Sequence, residues 1–75
     1  MIVTYDPDVD AAYIQLAAEI LTGGVAKTYP CDPREIGGII NLDFDLNGRL
    51  VGVEIMDASR LLLPEILPRP TGELI

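Results

Sequence analysis

INLDFDLNGRLVGVEI, residues 40–55, decides how this 75-residue chain folds. A turn at Asn47-Gly48 is the strongest short-range hairpin signal there is. Around it, Ile40 faces Ile55, Leu42 faces Val53 and Phe44 faces Val51. Strand side chains alternate with a period of two, so these six apolar residues share one face. Asn41 with Glu54, Asp43 with Gly52 and Asp45 with Leu50 fall on the other. A slip of one residue would mix the faces, so the pattern specifies its own register. The dipeptide predicts a two-residue type I′ turn, with positive φ at both Asn47 and Gly48.

The same stretch satisfies the EF-hand calcium-loop pattern, with Asp43, Asp45, Asn47, Gly48, Leu50 and Glu54 in sequence. The hairpin defeats that geometry. Glu54 lies opposite Asn41 while Asn47 sits at the tip, and at ~3.3 Å per residue the two are well over ~10 Å apart. One ion cannot take ligands from both. The preceding Gly37 to Leu42 also lacks the pattern of an entering helix.

Working outward, Met1 to Tyr5 reads as a strand and Asp6-Pro7-Asp8 as a turn. Ala11 to Ile20 fits two elements. A helix would start at Asp6 and Pro7, stop at Gly23, and align Val9, Tyr13, Leu16 and Ile20 on one stripe. A strand from Ala11 to Leu16 would pair back on Ile2 to Tyr5. The alanines favour the helix by local propensity. Val25 to Tyr29 is a strand, and Pro30 to Gly38, with two prolines and two glycines, is a loop. Asp57 or Ser59 would cap a short helix. Leu61, Leu62, Leu63, Ile66 and Leu67 are interrupted by Pro64 and followed by Pro68, so no long helix can hold them. They are the candidate interface residues, and the stretch from Leu63 to Pro68 reads as an apolar arm expected to pack on the sheet or on a neighbouring subunit. Residues after Pro70 are expected to be frayed. Residues 1–63 thus read as a single small sheet-plus-helix domain and 64–75 as the C-terminal arm. The fold class is α+β and β-rich: an antiparallel sheet meander of four to five strands, a short C-terminal helix and the arm.

Composition narrows the function. A domain this small is marginally stable alone and needs a disulfide, a metal or a partner. Cys31 is the single cysteine and there is no histidine, which removes intrachain disulfides, Cys-rich zinc sites and the commonest general base. Association, as a dimer or higher homo-oligomer, is the expected helper. The formal charge of −7 argues against nucleic acid and anionic membranes and suits a basic protein partner. No apolar run is long enough to span a bilayer and no signal peptide is evident, so the cytoplasm is the expected location. No cofactor is expected. The alternative is a divalent cation held by Asp6, Asp10, Asp43 and Glu54, with Asp43 and Glu54 as the catalytic candidates of a small metal-assisted enzyme. In that reading adjacent carboxylates raise each other's pKa or bind a hydrated ion, and Gly52 leaves open space opposite Asp43. The bland reading is a solvated polar face. Tyr5, Tyr13 and Tyr29 could line a pocket, but such tyrosines more often serve a core or an interface.

Tyr5-Asp6-Pro7, Asp10-Ala11, Tyr13-Ile14 and Leu16, together with Ile40, Leu42-Asp43, Asp45, Gly48, Leu50 to Ile55 and Ala58-Ser59, resemble a known family. It is the group of small bacterial proteins called domain of unknown function 2283. The similarity covers residues 2 to 63 and is more specific in its second half. Pro30-Cys31-Asp32-Pro33 departs from it by making a longer, stiffer connection. The resemblance implies a compact sheet meander with a short C-terminal helix, and so selects the strand for Ala11 to Leu16. It implies no activity. Members are similar in size to small antitoxins, and some are encoded beside candidate RNA-cleaving toxins. That implies a protein-binding role, and with the apolar tail and the acidic balance the expected function is a non-enzymatic interaction module that self-associates, antitoxin-like toward a basic partner.

Overall fold

Residues 40–56 form the expected hairpin, made of β4 (Ile40–Phe44) and β5 (Leu50–Met56). Ile40 pairs with Ile55, Asn41 with Glu54, Leu42 with Val53 and Asp43 with Gly52, as the alternation requires. Nearer the tip the register shifts by one, so Phe44 pairs with Leu50 rather than Val51. The turn is the reason. Only Gly48 has positive φ, at 76°, and Asn47 does not. The Gly48 amide donates to the Asp45 carbonyl at 3.0 Å, and the Asp45 amide to that of Arg49 at 2.8 Å. This is a three-residue loop, a type I turn followed by a left-handed glycine, and not the type I′ turn. Asp45 therefore lies opposite Arg49, and its carboxylate accepts the amides of Asn47 and Arg49 at 2.9 and 3.0 Å. An aspartate that satisfies two turn amides favours this loop over the shorter one.

The computed structural model describes residues 1–68; the expected fraying after Pro70 and the end of the arm lie outside them. Three more strands complete the sheet: β1 (Ile2–Asp6), β2 (Ala11–Gln15) and β3 (Lys27–Pro30). All pairings are antiparallel and the spatial order is β1-β2-β5-β4-β3. The meander therefore runs in two parts, with β5 closing the gap beside β2. Ala11–Gln15 is a strand despite its alanines because it pairs on both sides, with β1 and with β5; tertiary pairing overrides local propensity. Residues 16–26 pass the tip of the β4–β5 hairpin to reach the far edge, the Leu16 and Ala17 amides both donating to the Val51 carbonyl. The Pro30–Gly38 loop contains one helical turn, α1 (Pro33–Ile36).

A second single turn, α2 (Ala58–Leu61), follows β5 directly and roofs one end of the apolar face. The core beneath it is small. Ala12, Ile55 and Ala58 are 2%, 4% and 0% exposed, with Tyr5, Ile40, Leu61, Leu62 and Leu67 packed around them. Ala12 is small where Ala58 approaches, which lets helix and sheet close on each other. The start of α2 is capped from a distance. Asp57, in the left-handed region at φ 55°, makes no side-chain cap. Asp10 does so instead: its carbonyl accepts the Ala58 amide at 3.0 Å, and its carboxylate accepts the Ser59 amide and hydroxyl at 3.0 and 2.7 Å. The expected cap at Asp57 or Ser59 is thus replaced by a residue from the β1–β2 turn. Among the described residues no helix is long and apolar enough to cross a membrane.

Candidate functional site

The face opposite α2 carries the polar strand residues. Two rows cross it, Thr4–Tyr13–Glu54–Asn41 and Gln15–Gly52–Asp43–Thr28, each made of directly paired positions. Tyr13 leaves its own row. Its ring crosses β5 over Gly52, and its hydroxyl donates to Asp43 Oδ2 at 2.8 Å. Thr28 Oγ1 donates to the other Asp43 oxygen at 2.7 Å, and Asn41 Nδ2 to Glu54 Oε1 at 2.9 Å. The space at Gly52 is therefore filled by Tyr13, not left open opposite Asp43.

Burial raises the Tyr13 pKa from 10.0 to about 12, helped by the hydrogen bond to Asp43 and by the charges of Asp43 and Glu54. At neutral pH this hydroxyl is a fixed donor and not a base. Both Asp43 oxygens are already engaged, which suits holding a shape more than moving a proton.

Of the other candidates, Asp6 lies at the end of β1 on this same face and Asp10 lies on the other. Asp6 accepts the Asp8 amide at 2.9 Å, ordinary turn chemistry. Asp10 faces α2, where Tyr5 donates to it at 2.7 Å. Its pKa is lowered, first by the Ser59 hydroxyl and then by Tyr5. The Tyr5 pKa is raised, first by that same hydrogen bond. The structure thus brings Asp43 and Glu54 onto one face and engages Asp10 on the other side of the sheet. Among the described residues, no three His, Cys, Asp or Glu side chains converge in a way that could hold a metal ion. Of the arm residues, Leu61, Leu62 and Leu67 pack on the chain's own core, while Leu63 and Ile66 point outward.

Beside Tyr13 lies an open groove of about 650 Å³, lined by Thr4, Asp6, Pro7, Ala11, Tyr13 and Glu54 among others. Its charged lining is acidic. The ion pairs among the described residues are Arg34–Asp32 and Arg60–Asp57, both off the sheet. Among the described residues, the carboxylates of Asp43 and Glu54 are answered by neutral donors alone. Sequence reasoning finds these two residues from strand alternation. It misses Tyr13 and Thr28 as the partners of Asp43; the one signal for Tyr13 is the glycine that clears a path for its ring.

These features define a class: a small antiparallel sheet roofed at one end by a single helical turn, with a neutral-donor carboxylate network on its open polar face. The family model described as "Protein of unknown function (DUF2283)" matches residues 2–59, and the chain belongs to that family. No curated protein and no solved structure matches the chain.

Proposed function

We propose that this protein is a non-enzymatic interaction module that self-associates and offers its polar face to a basic protein segment. The carrying observation is that Asp6, Asp43 and Glu54, the strand carboxylates, share one face without a Lys or Arg paired to them among the described residues. Hydroxyl and amide donors fix the Asp43 and Glu54 side chains in place without cancelling their charge. A lysine or arginine from a partner would complete the pairs at little further cost in side-chain order. The acidic groove beside Tyr13 gives such a segment somewhere to lie. Neutralising a basic toxin is the antitoxin-like form this binding would take.

A Lys/Arg-rich peptide titrated calorimetrically into the full chain tests the reading. Binding should weaken with salt and with Asp43→Asn/Glu54→Gln, but much less with Asp32→Asn/Glu35→Gln, which removes equal charge off the face. Equal weakening by both pairs would mean attraction to bulk charge alone and would overturn it.

A further inference from the structure

The second row of the apolar face is unusual in one respect. Val3, Ile14, Val53, Leu42 and Tyr29 are directly paired neighbours across all five strands. All are apolar or aromatic, and none is buried; Tyr29 is 57% exposed. The roof formed by α2 and the arm packs on the core of the next row, Tyr5–Ala12–Ile55–Ile40, and Ile14 and Val53 of the second row pack against that same core. At ~4.8 Å between strands the open row is about 19 Å long. With Val3, Ile14, Val53 and Leu42 half-buried and Tyr29 exposed, the row is a partly open apolar stripe of the kind that marks interaction surfaces.

We infer that this row is the contact surface between two copies of the chain, packed sheet face to sheet face with Val53 at its centre. The inference deepens the self-association half of the proposed function and rests on it. Charge selects the occupant. The strand positions of this face carry no Asp or Glu, and all three strand carboxylates lie on the other side. Two molecules of charge −7 can meet here with the least repulsion. A basic partner would be drawn to the opposite face.

Residues 69–75 are a poor substitute. Residues 69–75 contain two large apolar side chains, Leu74 and Ile75, too few for a row of five. Edge pairing is also disfavoured. The β3 edge holds Lys27 and Pro30, and β1 ends in Asp6-Pro7, charges and prolines of the kind that block strand addition. Sheets stack about 10 Å apart, so a second sheet must sit beside the roof and not on it. A two-fold axis running along the row achieves this, setting each roof at the hairpin-tip end of the other copy's sheet, away from that copy's own roof. Such a contact is isologous and closes as a dimer.

Light scattering on the full chain across a concentration series, with mixed isotope labelling, tests this directly. A dimer is expected, with intermolecular nuclear Overhauser contacts among Val53, Leu42 and Ile14 methyls. Leu42→Lys should weaken it about tenfold or more, as for loss of an interface anchor. Should that variant unfold by circular dichroism, Tyr29→Lys replaces it at a position already exposed. Asp43→Asn, on the opposite face, should leave the mass unchanged. A monomer at every concentration would overturn both self-association and this interface. A dimer with intermolecular contacts at β1 or β3 would overturn the interface alone. So would row contacts that prove intramolecular and vanish when the chain is cut after Pro68.

Discussion

The ring of Tyr13 occupies the space that a side chain on Gly52 would need. A Cβ built at Gly52 would meet the Tyr13 hydroxyl at 1.9 Å and its ring carbons at 2.3 and 2.8 Å. Glycine normally weakens a strand, so its presence in the middle of β5 is explained by the tyrosine that crosses it to reach Asp43.

Gly52→Ala should therefore destabilise the protein by about 1–3 kcal/mol, the usual range for overpacking. On a Tyr13→Ala background the same change should cost far less, giving a coupling of about 0.5–3 kcal/mol. Urea denaturation of the four proteins measures it, and additive effects would show that the two residues are independent.

Alkaline pH should loosen the same contact. The Tyr13 pKa is raised in the folded protein to about 12, so folding favours the protonated phenol. Its contribution is complete below the unfolded value near 10 and is lost as pH rises toward 12. A melting series from pH 8 upward should fall through that window. Tyr13→Phe should start lower and fall less steeply, and parallel curves would disprove the assignment.

At the acid end the sensitive group is Asp10. Its pKa is lowered from 3.8, so its contribution is present above that value and lost as pH falls through the lower folded one. Asp10→Asn keeps a side chain tolerant of the left-handed backbone found there, at φ 51°. It should lower the melting temperature by several degrees at neutral pH and flatten its decline in acid. An unchanged melting temperature would mean that the long-range cap of α2 contributes nothing.

The turn makes a sharper prediction than the dipeptide alone. Since only Gly48 has positive φ, Gly48→Ala should cost about 1–2 kcal/mol. Asn47→Ala should stay within about 0.5 kcal/mol. A type I′ turn would penalise both, and equal losses in chemical denaturation would restore it.

The β4–β5 register was legible from sequence because six apolar residues leave a single pairing that keeps them together. The slip at Phe44 was not, because Asp45 diverts the turn through hydrogen bonds to Asn47 and Arg49 that no alternation pattern encodes. Ala11–Gln15 could be read as strand only through family resemblance, since its alanines carry the opposite local preference. The Asp10 cap was invisible for a plainer reason: donor and acceptor stand 49 residues apart. At the candidate site Asp43 and Glu54 followed from alternation. Tyr13 did not, because its hydroxyl acts two strands away from its own backbone.

The central strand of this sheet is also its last. With the order β1-β2-β5-β4-β3, β2 and β4 each keep an unpaired edge until β5 joins them. During synthesis, two open edges must wait until Met56 has emerged, and α2, which Asp10 anchors, comes later still. Sheet completion and helix capping are thus one late event, joining residues far apart in the chain, the slow kind of contact. Until then the half-made protein is at its most vulnerable to sticking to other chains.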